Sequence, residues 1–271
     1  MLTRFLLMAL AVSCAYRPPA PVIDRPDLGR FFEAEKLNGS FLLYDLKKDR
    51  YTAYRYARSR QGFLPASTYK IINTLIGLET GLLTDDATIM KWDGVRRERE
   101  VLNKDMTLRE AFQVSCVPCY QALARQIGVQ RMRSFVKKAD YGRMDIQAGS
   151  LDTFWLRGKS RISPKEEVDF LRRIYTGQVP FSKPHLATLK KVMLLDDQPT
   201  HRLYGKTGWA STMDGIEMDG PDIGWFVGYV EKGDDVYFFA TNIESPQPVP
   251  DTFLAGRRRV TERILAELGI L

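Results

Sequence analysis

Gly39-Ser40-Phe41-Leu42-Leu43-Tyr44-Asp45-Leu46 reads as a β-strand, and Arg50 to Ala57 as its partner across the charged turn Lys47-Lys48-Asp49. Working outward, the far end of the chain repeats the pattern. Arg202 to Trp209, Ile223 to Val230 and Val236 to Ile243 are strand-like, and the last two join through Glu231-Lys232-Gly233-Asp234-Asp235. Between the two strand sets the apolar period becomes helical. Pro65-Ala66-Ser67 opens a helix whose Ile71, Ile72, Leu75 and Leu78 share a face, with Gly81 placed to close it. Thr107-Leu108-Arg109-Glu110 is a capping box for a helix ending near Ser115. Pro118 begins another helix, and Ser163-Pro164-Lys165-Glu166 caps a further one. Val260, Ile264, Leu265 and Leu268 stripe a closing helix. Strands, helices, strands, helix is an α+β order. It predicts an antiparallel sheet built from both ends of the chain, flanked by helices, with an all-helical lobe inserted. The expected boundaries are residues 21–64 and 184–271 for the mixed lobe and 65–183 for the helical one, a single catalytic unit with its site between them.

Composition narrows the chemistry. Of 271 residues, 44% are hydrophobic and 27% charged, which excludes disorder, collagen and coiled coil. The two histidines, His185 and His201, and three cysteines, Cys14, Cys116 and Cys119, are too scattered for a zinc site of the usual kind, so no metal is expected. GxGxxG, GxxxxGK[ST] and GxSxG are absent, which removes the usual nucleotide and α/β-hydrolase signatures. The net charge of +7 comes with no basic stripe interleaved with aromatics, so no nucleic-acid partner is expected. Met1 to Arg4 is cationic, Phe5 to Val12 is apolar but too short to span a bilayer, and Ser13-Cys14-Ala15 supplies small residues. Residues 1–15 are therefore expected to be an export signal, against the alternative of a frayed N-terminal helix. Cleavage after Ala15 gives a soluble periplasmic protein; cleavage before Cys14 gives a lipid-anchored one. No later stretch is apolar enough to cross a membrane.

Three short motifs carry chemistry. In Ser67-Thr68-Tyr69-Lys70, residues three apart on a helix share a face, so Lys70 lies against the Ser67 hydroxyl. A serine needs such a base to become a nucleophile. The spacing alone is weak, since Ser134-Phe135-Val136-Lys137 has it too. Lys206-Thr207-Gly208, followed by Trp209, places a cation and a side-chain-free position on one strand, suited to a substrate carboxylate. Ser115-Cys116-Val117 sits between two helices, where a hydroxyl relays protons if it faces the same cleft.

Each motif alone is better read as a solvated face, an edge lysine or a cap. Together and in this order they resemble the penicillin-recognising serine enzymes. The Ser-x-Val form at 115–117, Tyr141-Gly142 and Phe154-Trp155-Leu156 resemble the class D β-lactamases, the oxacillinases, across residues 38 to 270. The resemblance implies a serine β-lactamase fold, a β-lactam substrate and antibiotic resistance. It implies that Ser67 is acylated and that Lys70 is carboxylated by CO2 or bicarbonate, with no other cofactor. By the same resemblance Trp155 donates to that carbamate, and Val117 and Leu156 wall it. Ser115 passes a proton to the leaving nitrogen beside Lys206. Thr207 and Gly208 complete the wall, and the backbone N–H groups of Ser67 and Trp209 form the oxyanion hole. Arg257, or Arg258 in the neighbouring register, grips the substrate carboxylate. Glu166 is a helix cap and not a deacylating base. Arg143 stands where family members usually carry Asn. Cys116 and Cys119 form either a small-loop disulfide or two buried thiols.

Two other functions share this machinery. A β-lactam sensor acylates without turning over, but such domains normally hang from membrane helices and carry a polar residue where this chain has Val117. A peptidoglycan carboxypeptidase usually has Asn third in the middle motif. Both differences favour the enzyme, as a monomer or homodimer.

Overall fold

The computed structural model describes residues 19–211, 220–245 and 249–271. The expected export signal, residues 1–15 with Cys14, lies outside the described residues.

From the start, β1 (Val22–Asp24), α1 (Gly29–Ala34), β2 (Asn38–Asp45), β3 (Arg50–Tyr54) and α2 (Tyr56–Ser59) lead to a 3-10 turn, Ala66–Tyr69, and to α3 (Lys70–Glu79). The middle holds β4 (Ile89–Met90), β5 (Met106–Thr107), α4 (Leu108–Gln113), α5 (Val117–Ile127), α6 (Val129–Lys138), α7 (Pro164–Tyr175) and α8 (Lys183–Met193). The end returns to β6 (Leu194–Asp197), β7 (Arg202–Ala210), β8 (Asp222–Lys232), β9 (Asp235–Ser245) and α9 (Phe253–Glu267).

Seven strands form one sheet in the order β1-β3-β2-β9-β8-β7-β6. The two ends of the chain meet at β2 and β9, antiparallel from Asn38 opposite Glu244 to Asp45 opposite Tyr237. Strand side chains alternate faces. Leu42, Tyr44, Trp225, Val227, Tyr229, Phe238 and Ala240 therefore join the core toward the inserted helices. Phe41, Leu43, Phe226, Val230, Phe239 and Ile243 join a second core under α1 and α9. Burial of both faces explains why these strands read as nearly unbroken apolar runs.

Both capping boxes form, at Thr107–Glu110 and Ser163–Glu166. Three features differ from the expectation. The inserted segment is not wholly helical, because β4 and β5 pair as a two-stranded ribbon. The outer strands β1 and β6 were also missed, β1 pairing parallel with β3. Strands this short show no alternation to read. The second strand ends at Tyr54 rather than Ala57, because Arg55 turns left-handed (φ 56°) into the short helix α2. Helix α7 lies on the sheet, with Tyr51 donating to Asp169 at 2.5 Å and Tyr175 edge-on to Tyr229 and Phe238.

Candidate active site

Ser67 sits in the 3-10 turn, not yet in the helix, and is 6% exposed. The preceding Ala66 is left-handed (φ 51°), a conformation that costs a side-chain-bearing residue about 1 kcal/mol. Its amide is tied to the Trp155 carbonyl at 2.8 Å. Lys70 begins α3, fully buried, and its Nζ donates to Ser67 Oγ at 2.7 Å. Burial pushes its ammonium down to about 7, and the charge of Arg99 pushes the same way. Among the described residues nothing anionic compensates Lys70; beside it lies the Tyr120 ring, 5.3 Å from Nζ.

Trp155 is fully buried and stacked on Tyr69, ring centres 5.3 Å apart. Its indole N–H is buried with no acceptor among the described residues. Leu156 is buried and Val117 is half-buried against the same core. A buried donor without an acceptor costs on the order of 1–3 kcal/mol unless a guest satisfies it. A neutral lysine amine reacts with CO2, and the anion formed needs a donor of this kind. The residues present therefore fit a carboxylated lysine.

Ser115 links α4 to α5 and is also left-handed (φ 60°). Lys206 Nζ donates to Ser115 Oγ at 3.1 Å and to the Thr207 carbonyl at 2.9 Å. Lys206 is 3% exposed; burial, then the charges of Lys70, Arg257 and Arg99, hold its ammonium well below the usual lysine range. Cys116 caps α5 and its Sγ is bonded to that of Cys119, so the disulfide alternative is the one the structure contains. The bridge brackets Val117.

Strand β7 closes the other side. β6 pairs only with Arg202–Tyr204, so Gly205 to Ala210 keep an edge uncovered by β6. A Cβ on Gly208 would lie within 3.4 Å of the Pro65 carbonyl, Thr68 and Trp225, so glycine lets β7 press against the Ser67 turn. Thr207 is half-buried beside it. Trp209 donates its indole N–H to Asp222 at 2.6 Å. Arg257 donates to the Gly208 carbonyl at 2.5 Å, and burial pulls it down to about 10; its Nε has no partner. Arg258 instead pairs with Glu262 on the exposed face. Of the two arginines, Arg257 is the one that reaches β7.

The structure brings these residues together by contact: Lys70 on Ser67, Lys206 on Ser115 and Thr207, Arg257 on Gly208, Gly208 on the Ser67 turn and the Trp155 carbonyl on the Ala66 amide, with Lys206 feeling the charges of Lys70 and Arg257. Ser134 and Lys137 lie on the exposed face of α6. Glu166 accepts from Ser163 N and Oγ at 2.7 Å each, as a cap does. Arg143 exchanges backbone hydrogen bonds with Arg161 at 2.8 Å. Among the described residues no group of three His, Cys, Asp or Glu is arranged to hold a metal, and no helix is long and apolar enough to cross a membrane.

Two residues escaped the sequence reading. Arg99 donates to the Val114 carbonyl at 3.1 Å, beside Ser115, and bears electrostatically on both lysines. A charged residue in a polar loop carries no signal of this. Glu167 is fully buried under the Ser67 turn. Its signal was present: Glu167, Phe170, Leu171 and Ile174 follow helical spacing, which puts a carboxyl on an apolar stripe.

Comparison with known proteins agrees with this geometry. Residues 36–268 match the penicillin binding protein transpeptidase domain. β-Lactamase OXA-5 of Pseudomonas aeruginosa is 38% identical over 240 residues, 89% of this chain and 87% of that one. The probable β-lactamase YbxI of Bacillus subtilis is 39% identical over 239 residues, 88% of this chain and 84% of that one. Among solved structures, the class D β-lactamase YbXI from Nostoc superposes with a TM-score of 0.84 at 42% identity, covering 90% of this chain and 99% of that one. A serine and a buried lysine in contact, a second serine and lysine facing them, and relatedness over nearly the whole chain make this protein a member of the class D β-lactamases, built on the penicillin-binding transpeptidase fold.

Proposed function

We propose that the chain hydrolyses the amide bond of β-lactam antibiotics through an acyl-enzyme on Ser67 and so confers resistance. The observation that carries this is the contact between Lys70 Nζ and Ser67 Oγ in a pocket where Lys70 has no counter-ion and Trp155 an unused N–H. Ser67 Oγ gives its proton to the base at Lys70 and bonds to the lactam carbonyl carbon; the carbon–nitrogen bond breaks. Ser115 hands a proton to the departing nitrogen and takes one from Lys206, which recovers from the base at Lys70 the proton that Ser67 gave up. The backbone N–H groups of Ser67 and Trp209 face the developing oxyanion. Lys206 and Arg257 are buried cations held by hydroxyl and carbonyl groups, with no carboxylate among their hydrogen-bond partners. A substrate carboxylate supplies the missing charge. Lys70 carboxylated by CO2 supplies the base for both halves of the reaction, held by Trp155 and walled by Val117 and Leu156. Water then cleaves the ester and restores Ser67.

The test is turnover of a chromogenic cephalosporin with and without bicarbonate. Many turnovers, falling on CO2 depletion and recovering on its return, are expected. A single stoichiometric burst would overturn the hydrolase in favour of a sensor. Export of the chain through residues 1–15 is part of the same proposal, and N-terminal sequencing of the mature protein checks it: an intact Met1 would end it.

A further inference from the structure

Beneath the Ser67 turn, three oxygen–oxygen contacts meet. Thr68 Oγ1 lies 2.7 Å from the Pro65 carbonyl and 2.6 Å from Glu167 Oε1, and the Tyr141 hydroxyl lies 2.9 Å from the same Oε1. Each contact at such a distance needs a proton between its oxygens. The Thr68 hydroxyl supplies one and the Tyr141 hydroxyl another. A carboxylate supplies none, so an ionised Glu167 leaves one contact as two bare oxygens. A carboxylic acid supplies the third: Tyr141 donates to Glu167, Glu167 to Thr68, and Thr68 to Pro65. Glu167 Oε2 points the same way, being buried with no partner, where a charged oxygen would be unsolvated.

We propose that Glu167 is a positioning residue for Ser67, carried as a neutral acid whose proton completes the chain from Tyr141 through Thr68 to the Pro65 carbonyl. Pro65 and Thr68 bracket Ser67, and Gly208 of the opposite wall packs on both. Losing the proton draws the Thr68 hydroxyl to the carboxylate and releases Pro65, which loosens the nucleophile's turn. The proposal rests on the hydrolase reading for its kinetic consequence.

Among the described residues the surroundings hold no cation for Glu167. On its own helix Lys165 pairs with Asp169, Glu166 caps Ser163, Arg172 covers the Tyr44 ring, and Arg173 donates to the Ala139 and Asp140 carbonyls. The turn and α3 present Tyr69 and Lys70, the latter committed to Ser67, and the loop presents Tyr141. The sheet under α7 presents Tyr44, Tyr51 and Tyr229. Burial raises all five of these phenols. Burial likewise pushes Glu167 up to about 7, its hydrogen bonds pull down, and Glu166 adds a small push upward.

Glutamine tests this, because its two N–H groups donate to Thr68 and Tyr141 and never ionise. Glu167→Gln, Glu167→Ala and the wild type are compared at saturating bicarbonate between about pH 5 and pH 9. Glu167→Ala is expected to lower kcat at every pH by about tenfold or more, and Glu167→Gln to restore it within about threefold at the acid end. The Glu167→Gln enzyme should then outrun the wild type as pH rises, by roughly tenfold at the alkaline end. Two readouts need no turnover. An infrared difference spectrum, wild type minus Glu167→Gln, should show a protonated carboxylic acid at about pH 6. A group raised on folding stabilises on the acid side and loses that contribution as pH rises through its folded value. The wild-type Tm should therefore fall relative to Glu167→Gln between about pH 5 and pH 8. Coincident alkaline limbs would overturn the positioning role, and a missing acid band or parallel melting curves would overturn the neutral acid. A band and diverging curves in a protein with no turnover would support the acid and sink only the hydrolase reading.

Discussion

The chain spells Ser-x-x-Lys twice. At Ser134 and Lys137 the pair rides the outer face of α6, with both side chains exposed. At Ser67 and Lys70 the same spacing lies under a strained alanine, against a stacked tryptophan and tyrosine. There burial brings the ammonium down to about 7. The four residues place the two groups together; the low-dielectric wall makes one of them a base.

Alanine at each lysine in turn is the sharpest way to break that comparison. Lys70→Ala should lower β-lactam turnover by about 10³-fold or more, and Lys137→Ala should leave it within about twofold. A comparable loss at Lys137 would mean the wrong pair has been singled out. Trp155→Phe keeps an aromatic wall but removes a buried indole N–H that has no acceptor among the described residues. A hydrogen bond to a charged group is worth about 1.5–3 kcal/mol, so the bicarbonate needed for half-maximal activity should rise by roughly 10–100-fold. An unchanged requirement would separate the indole N–H from the lysine. Acid works on the same contrast more gently. CO2 reacts only with the neutral amine, and the carbamate formed sheds a further proton, so at fixed, subsaturating dissolved CO2 activity should fall at least tenfold per pH unit below about 7. A break in the profile near the ordinary lysine range instead would show that Lys70 is not held down by burial.

The smallest effect is expected at the second serine. Replacing both Cys116 and Cys119 with Ser opens a bridge around a very short loop, a loss of about 2 kcal/mol, seen as a Tm drop of a few degrees. Turnover should fall less than tenfold, because Ser115 keeps its contact with Lys206. Two free thiols in unreduced protein would remove the bridge from the account.

Most of the sheet was legible because strands buried on both faces and set off by charged turns announce themselves. Gly39 to Leu46 and the hairpin through Gly233 are cases where local composition and tertiary role agree. What escaped was short or contextual. The strand Val22–Asp24 and the ribbon β4–β5 are held by their partners rather than by their own pattern. The site's serines and lysines were legible from their order, but not the left-handed backbone at Ala66 and Ser115. No side chain there advertises the conformation; the fold imposes it. Glu167 was passed over for Glu166, its neighbour in a capping motif, although its place on the apolar stripe marked it. Arg99 acts through its charge at a distance, which spacing does not encode.

The pairing of β2 with β9 has a consequence for assembly. Asn38 and Glu244 touch across 206 residues of intervening chain, so the central ladder closes only after the last strand exists. Pairings of such sequence separation form slowly, since a long loop must lose its freedom before the contact rewards it. Until then the β7–β9 sheet that carries Lys206 and Gly208 is not joined through β2 to the first strands of the chain. A chain emerging from the ribosome thus carries its nucleophile early and its opposing wall late. It stays chemically unarmed for as long as its ends are kept apart.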